Sequence, residues 1–402
     1  MMKLPLPVKM LLVLSLGLTT GRAITLPVIA VYLARALSLQ PGVVGCILTA
    51  SLTLGTLSSL YGGYVTDRAD RRLLLGGGIG ACALSYLAFP AINSGLTALL
   101  LLTLLYSTAS VLDVAGKAYI AALVAPHERV KVFSLRYTLN NVGFAIGPLV
   151  GAWLAMHSEI ILFRLSGGMT LACLLLLVPA WRGLGAPPAQ DAQQLRSFAA
   201  TIGALRRDRR LVMFTLAGTL AALVYARFSA YLSQYLAVVV SPGVAYQTVA
   251  YAITVNALVV VALQYLVGSR VNTANLRRTI AIGLLLFAAG LAGFSLSTAT
   301  STWMVAMAVF SAGEVVVVPA TYLFIDSIAP EHMKGSYYGV QSLSNLGGAA
   351  SPALCGLLLS SSEPQLMFYG LIATALAALW LFHAGSSRAD TAFIASADAA
   401  SL

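Results

Sequence analysis

The sequence predicts an all-α membrane protein with twelve transmembrane helices in two pseudo-symmetric halves of six. Composition is the first observation behind this prediction, because 59% of the 402 residues are hydrophobic and only 9% are charged. About 25% of residues are charged in a typical soluble domain, and a soluble fold of this size could not bury so much apolar surface. The chain therefore needs a lipid bilayer as its solvent.

An internal repeat is the second observation. Residues 125–129 (APHER) recur as 329–333 (APEHM), and the register continues beyond them without a gap. The positions that follow are an asparagine, a glycine and a proline in each copy: Asn141, Gly143 and Pro148, then Asn345, Gly347 and Pro352. Duplicated halves in an apolar chain are typical of secondary transporters, which bind their substrate at the interface between the halves.

Apolar runs predict the individual spans. Each is long enough for the roughly 20 residues that a spanning helix needs, and they lie near 11–34, 42–65, 73–91, 97–122, 133–156, 160–181, 211–238, 245–268, 279–298, 303–327, 336–360 and 365–384. The first run could pass for a signal peptide, but Arg22 interrupts the region where cleavage would occur, so we expect it to be retained. The predicted divisions are an N-terminal half (1–181), a cytoplasmic linker (182–210), a C-terminal half (211–385) and a flexible cytoplasmic tail (386–402).

Lys and Arg residues predict the orientation of these spans. With both termini in the cytoplasm, only five of the 24 basic residues lie outside cytoplasmic segments. Two of them, Arg35 and Arg164, are in outer loops, and three are within spans. The others, Arg136 among them, are assigned to the cytoplasmic side. An excess of positive charge on that side is the usual determinant of membrane-protein orientation.

A charged motif follows the second span. It contains Gly63, Asp67, Arg68, Arg71 and Arg72. Gly63 permits a close approach of two backbones, and Asp67 is placed to meet an arginine or the positive N-terminus of a neighbouring helix. A solvated turn of mixed charge is the alternative, but a degenerate copy at 268–278 favours a gating role.

A small-residue motif occupies the fifth span and comprises Gly143, Gly147, Pro148 and Gly151. Glycines four residues apart leave a smooth face for close helix packing, and a proline inside a helix bends it. A bent, closely packed helix of this kind can seal one side of a cavity.

With these motifs the chain resembles the major facilitator superfamily over essentially its whole length. The loop motif is similar to the superfamily's signature between helices 2 and 3, and the fifth-span motif is similar to the signature of its drug:proton antiporter branch. Segments at 21–27, 256–265 and 328–334 further resemble the YdeE-type subgroup of enterobacterial exporters, which is associated with drugs and dipeptides. Two positions depart from the superfamily pattern. Asp70 replaces the usual glycine, and the fourth span lacks the usual arginine, so the proton-coupling role of that arginine cannot be transferred.

Five charged residues lie within the predicted spans: Arg22, Asp113, Lys117, Arg227 and Glu314. A charge at mid-membrane costs a few kcal/mol or more, so such residues are usually paired and functional. They fall in spans 1, 4, 7 and 10, which the resemblance implies are the cavity-lining ones. We assign proton coupling to Glu314 and Asp113, with the three cations as their charge partners. The alternative is that these ion pairs only hold helices together.

Polar residues within spans are candidates for substrate binding: Tyr32, Asn140, Asn141, Tyr231, Gln234, Asn256 and Gln264. Hydrogen bonding between helices is the alternative role. Enzyme chemistry is not indicated, because the glycine-rich match at 78–83 lies inside a span with no preceding strand. The four histidines lack metal-ligand spacing, and the four cysteines lack the spacing of a zinc site or a disulfide framework.

The resemblance and the intramembrane charges together predict a proton-coupled exporter of the bacterial inner membrane. It would exchange small amphipathic compounds, such as drugs or dipeptides, for protons by alternating access. No metal or cofactor is expected besides the proton gradient, and the partners are a small-molecule substrate, protons and the bilayer. No nucleic acid is expected, and the chain is expected to be a monomer. The alternatives are a substrate-importing proton symporter and a transport-inactive membrane sensor or scaffold.

Overall fold

The computed structural model describes residues 4–25, 28–39, 41–155, 157–180, 197–268, 270–359 and 363–399. The regular structure in these ranges is helical, without strands, which confirms the predicted all-α class there. The α-helices are α1 (Leu6–Thr25), α2 (Ile29–Ala36), α3 (Pro41–Thr66), α4 (Arg71–Ala88), α5 (Gly95–Leu123), α6 (Pro126–Ala155), α7 (Glu159–Leu177), α8 (Phe198–Arg207), α9 (Arg209–Tyr225), α10 (Phe228–Val239), α11 (Pro242–Gly268), α12 (Leu276–Leu296), α13 (Thr300–Ile328), α14 (Lys334–Gln341), α15 (Asn345–Leu359) and α16 (Leu366–Ala399).

Membrane spans can be counted only in those ranges. Nine candidate spans there are long and apolar enough to cross a bilayer, and α9 and α10 would add a tenth if this pair, bent by 42°, is one broken span. The total of twelve spans stays a prediction. Of the predicted linker (182–210), residues 182–196 lie outside the described part, Phe198–Arg207 form α8, and α9 begins at Arg209. The last helix continues to Ala399, through most of the range for which the sequence predicts a flexible tail.

Three predicted spans are interrupted. The first is divided into α1 and α2, the seventh into α9 and α10, and the eleventh into α14 and α15, with a 3-10 turn at Ser342–Ser344. At the second break, the Tyr231 hydroxyl donates to the Val224 carbonyl at 3.0 Å. The last carbonyls of a helix have no donor within the helix, so this side chain stabilises the break.

Two compact units make up the chain. The first comprises Met1–Thr201 together with Ala329–Ser342, and the second comprises Ile202–Ile328 with Leu343–Leu402. In the first unit α3 packs on α5, α1 on α6 and α7, and α14 on α3. In the second, α12 packs on α13 and α16, and α9 packs on α15 and α16. Segment 329–342, which the chain order assigns to the C-terminal half, thus belongs to the first unit.

Aromatic side chains fill the core of each unit. In the first, the rings of Tyr32 and Phe89 both pack on Phe163, with centroids 4.9 and 4.6 Å from it. In the second, Phe294 stacks on Trp303 at 5.4 Å and packs against Phe310 at 5.9 Å. Trp303 and Phe310 belong to α13, the helix that also carries Glu314.

Candidate functional site

Asp113 of α5 lies between two cations. Its Oδ2 is 2.8 Å from Lys117 Nζ, and its Oδ1 is 2.7 Å from Arg136 Nη2. Lys117 is one helical turn from Asp113, the spacing that brings two side chains to one helix face. Both cations are buried, whereas 39% of the Asp113 side chain is exposed. The acid predicted for span 4 is therefore held by an ion triad.

Arg136 lies within a helix, since α6 begins at Pro126 and ends at Ala155. Its assignment to the cytoplasmic side stays a prediction. The side chain is only 4% exposed, and its Nε donates to Ser15 Oγ at 2.9 Å. Its position could have identified Arg136 as a further charged residue within a span, since the predicted fifth span starts at 133.

Arg22 of α1 is not a partner of Asp113, contrary to the sequence prediction. Its guanidinium carbon lies 5.7 Å from the ring centroid of Tyr106, in a cation–π contact. Among the described residues its Nε is buried without a hydrogen-bond partner, and no carboxylate forms an ion pair with it. Asp113 takes Lys117 and Arg136 as its partners.

Charged and polar side chains line a cavity of about 140 Å³ within the first unit. Its polar lining includes Arg22, Asp113, Arg136 and Asn140. Asn140, a predicted cavity residue, accepts a hydrogen bond of 3.1 Å from Thr19. The structure thus brings together one acid, two arginines and an amide in one chamber.

Glu314 of α13 lies in the second unit and is 7% exposed. Its Oε2 accepts a hydrogen bond of 2.7 Å from Asn256 Nδ2, and that nitrogen also contacts Ser311 Oγ at 3.1 Å. The sequence analysis singled out Asn256 for substrate and missed its contact with the acid. Arg227, the predicted charge partner of Glu314, is exposed at the break between α9 and α10.

Four other predicted substrate residues contact the protein itself. Tyr32 is 6% exposed in the aromatic cluster of the first unit, and Tyr231 is fully buried at the break after α9. Asn141 donates to the Tyr137 carbonyl within its own helix at 3.0 Å. Gln264 is fully buried and donates to the Val315 carbonyl at 3.3 Å, which links α11 to α13.

Two predicted substrate residues keep an amide oxygen without a described partner. The Oε1 atoms of the half-buried Gln234 in α10 and of Gln264 are both buried with no hydrogen-bond partner among the described residues. Such an oxygen retains the capacity to accept a hydrogen bond. Gln234, Gln264 and the cavity-lining Asn140 therefore stay candidates for substrate binding.

Asp67 binds the N-terminus of α14. Its carboxylate accepts the backbone N–H of Gly335 at 2.5 Å, the N–H of Ser336 at 2.7 Å and the Ser336 hydroxyl at 2.6 Å. The first N–H groups of a helix have no carbonyl partner within it and carry partial positive charge. Burial raises the pKa of Asp67 to about 6 and outweighs the opposing effect of these hydrogen bonds and of Arg68.

Backbones meet where α3 contacts α14. A Cβ atom on Gly63 would collide with the Gly335 carbonyl, and one on Gly335 would collide with the Gly63 carbonyl and with Asp67. Ser59 Oγ also donates to the Gly339 carbonyl at 3.0 Å. Glycine is therefore required on both sides, since any side chain would separate the two helices.

The basic residues of the loop motif lie beside aromatic rings and Asp70. Arg68 stacks 3.9 Å from the Tyr64 centroid, and Arg71 lies 5.2 Å from that of Tyr119. The backbone N–H of Arg72 donates to Asp70 Oδ1 at 2.8 Å. Asp70, which departs from the superfamily pattern, is thus the N-cap of α4, a position that favours Asp.

Small residues of α6 face α1. A Cβ atom on Gly143 would meet Thr20, and side chains at Gly147 and Gly151 would meet the backbone of residues 23 and 24. Pro148 lies inside the same helix. The two helices approach each other closely along this whole face.

Comparison with known proteins agrees with the fold. Residues 11–352 and 241–398 match the family model of the Major Facilitator Superfamily. The chain is 34% identical over 383 residues to the uncharacterized MFS-type transporter YdeE of Escherichia coli K12, covering 94% of this chain and 95% of that protein. It is 24% identical to a Na(+), Li(+), K(+)/H(+) antiporter of Planococcus maritimus, covering 94% and 96%. It is 25% identical to the multidrug resistance protein MdtH of Edwardsiella ictaluri, covering 84% and 83%.

A solved structure shows the same architecture. A bacterial homologue of the iron transporter ferroportin, in its outward-facing state, superimposes with a TM-score of 0.77 at 16% identity, covering 95% of this chain and 99% of that one. At this identity the likeness concerns the fold alone. The family model and the YdeE relative match nearly the whole chain, and both are transporters, not enzymes. The chain belongs to the Major Facilitator Superfamily.

Proposed function

We propose that this transporter is a proton-coupled exporter of small amphipathic compounds, such as drugs or dipeptides, that works by alternating access. The observation that carries the proposal is a buried acid in the second unit beside a polar amide. Glu314 is 7% exposed and accepts a hydrogen bond from Asn256, and the acid of the first unit, Asp113, is held by two cations.

These surroundings assign unequal roles. Protonation of Asp113 would leave the buried charges of Lys117 and Arg136 less compensated, which is costly in an apolar environment. A protonated Glu314 can still accept the amide hydrogen bond of Asn256 through its carbonyl oxygen. We therefore assign the proton to Glu314 first, with Asp113 as a secondary site that the triad restrains.

Export is the direction that the small-residue motif favours. The face of α6 that carries Gly147 packs backbone to backbone on α1, as a helix that seals one end of a cavity would. Among the relatives, one is named an antiporter for monovalent cations and protons and another a multidrug resistance protein. If this chain shares those activities, it exchanges its substrate for protons and exports drugs.

The contact of Asp67 with α14 is the gate of the proposed cycle. Segment 329–342 packs in the first unit although its chain neighbours belong to the second. Its release would separate the backbones of Gly63 and Gly335 and expose the Asp67 carboxylate. The proposal further places both termini in the cytoplasm and the monomeric protein in a bacterial inner membrane, with the proton gradient as its energy source.

Transport in proteoliposomes tests the proposal. The purified chain is screened with labelled dipeptides and drugs, first by counterflow and then with imposed pH gradients. An inside-acid gradient should drive substrate uptake by an antiporter, because protons leave as substrate enters. Uptake driven by an outside-acid gradient would establish a symporter instead. Absence of counterflow with every compound would favour the sensor or scaffold.

A further inference from the structure

The cavity of the first unit is lined by Arg22, and among the described residues no carboxylate forms an ion pair with this arginine. Asp113 and Arg136 line the same chamber and pair with each other at 2.7 Å. Asp113 also pairs with Lys117 at 2.8 Å. Arg22 is thus the cation of this chamber that the carboxylate of Asp113 does not compensate.

A cation in apolar surroundings is usually compensated by an anion or by several hydrogen bonds. Arg22 is half-buried, its guanidinium lies over the ring of Tyr106, and its Nε is buried without a hydrogen-bond acceptor among the described residues. A cation–π contact compensates a buried charge only in part. Arg22 can therefore take an anion as a further partner.

We propose that this cavity is an anion subsite that binds the carboxylate of an amphipathic substrate, with Arg22 as the residue that binds it. A guanidinium offers planar paired donors that match a carboxylate. Thr19 and Asn140 lie beside Arg22 in the lining as further polar groups, and Leu14, Leu18 and Phe144 supply apolar surface for the adjoining part of the substrate.

The cavity volume of about 140 Å³ exceeds several-fold what one water molecule needs. A carboxylate end group therefore has room in it. The proposed subsite takes the anionic end of the substrate.

Asp113 is the internal competitor of that anion. Its partly exposed carboxylate occupies Lys117 and Arg136 in the absence of substrate. Since like charges repel across a few ångströms of low dielectric, removal of this carboxylate should strengthen binding of an anion in the chamber.

Binding of a matched pair of probes tests the inference without a proton gradient. The probes are N-acetyl-L-phenylalanine and N-acetyl-L-phenylalaninamide, which differ only in whether the end group is a carboxylate or a neutral amide. Calorimetry on the purified full chain in detergent should give binding of the acid at least tenfold tighter than of the amide. Arg22→Gln should abolish this preference, Arg22→Lys should retain part of it, and Asp113→Asn should tighten binding of the acid several-fold.

Arg164→Gln is the matched control, because Arg164 is an exposed arginine outside the cavity, and it should bind both probes as the unmodified chain does. Equal affinity for acid and amide, unchanged preference in Arg22→Gln, or no binding of either probe would overturn the subsite. Arg22→Lys and Asp113→Asn decide the question if Arg22→Gln does not fold. That the bound anion is a transported substrate rests on the proposed function, whereas binding of the anion itself does not. Loss of pH-driven transport with the acid preference intact would contradict the proposed function alone.

Discussion

The carboxylate of Asp67 lies 2.5 Å from the backbone nitrogen of Gly335, at the first turn of a helix 268 residues further along the chain. Two further hydrogen bonds, both from Ser336, complete its coordination. Hydrogen bonds to a charged group contribute about 1.5–3 kcal/mol each. One side chain therefore holds α14 within the first unit, and its bonds must break before α14 can leave.

Asp67→Asn should slow transport and leave substrate affinity within about twofold, because the motif lies outside the cavity lining. The amide removes the negative charge and presents a donor where the carboxylate offers a second acceptor. Turnover and binding are measured separately in proteoliposomes and by calorimetry. Asp70→Asn is the control and should behave normally, because Asn also caps α4. Equal loss of binding and turnover in Asp67→Asn would contradict a gating role.

The attachment of the α14 N-terminus to Asp67, here called docking, should depend on pH. Its pKa in the docked state is about 6, above the ordinary value of about 4 for an exposed Asp. The docked state therefore binds more protons between these pH values, so docking is strengthened as the pH falls through 6. Linkage gives about tenfold stronger docking at pH 5 than at pH 8.

Hydrogen exchange of the α14 amides, corrected for intrinsic rates, measures this effect. Protection should rise from pH 8 to pH 5 in the unmodified chain and stay constant in Asp67→Asn. Protection that instead falls on acidification would show that the hydrogen bonds to the carboxylate outweigh its burial.

Gly147→Leu should lower both thermal stability and transport. A Cβ atom at this position already collides with Ala23, and the rest of the leucine would force α6 away from α1. Overpacking of this kind typically costs about 1–3 kcal/mol. The same substitution at Gly168 of α7, where a Cβ meets nothing within 4 Å, is the control and should be tolerated. A fully active and stable Gly147→Leu protein would refute tight packing at this face.

Pro148→Ala should be milder than Gly147→Leu. Alanine restores a backbone N–H and removes the clash of the proline ring with the preceding turn, so α6 should straighten. The protein should fold and keep part of its transport rate, because no side chain enters the contact with α1. Detergent melting curves and counterflow rates compare the two variants, and a greater loss in Pro148→Ala would make the bend the dominant feature.

Glu314→Gln should abolish uphill, pH-driven transport and retain substrate exchange. Glutamine resembles the protonated acid and can still accept the Asn256 hydrogen bond through its carbonyl oxygen. Exchange needs no net proton movement, so counterflow should continue near its normal rate. Glu159→Gln, which alters an acid outside the cavity that pairs with Arg35, is the control.

Asp113→Asn should weaken coupling less than Glu314→Gln, because Asp113 serves first as the counter-ion of Lys117 and Arg136. The ratio of pH-driven uptake to counterflow is the measured quantity for both variants. If Asp113→Asn abolishes pH-driven uptake and Glu314→Gln does not, the two roles are reversed. If neither changes the ratio, both acids are structural and proton coupling must lie elsewhere.

Composition and periodicity alone determined the helical membrane class of this protein. The free energy of inserting a span is a sum over about 20 residues, so single polar residues do not obscure it. Local spacing was equally informative, since Asp113 and Lys117 share a helix face and the glycines of α6 share another. These relations depend only on the 3.6-residue turn, which every α-helix has.

Tertiary structure decided the contacts between helices. Asn256 with Glu314 and Arg136 with Asp113 each join residues from different helices, and Asp67, in the turn after α3, joins Gly335 of α14. Such a pair forms only if both helices have the right rotation and depth, and a shift of one residue moves a side chain by about 100° and 1.5 Å. A helix that is apolar on every side encodes neither quantity in its sequence. Packing against its neighbours sets both, and so selects the partners of each charge.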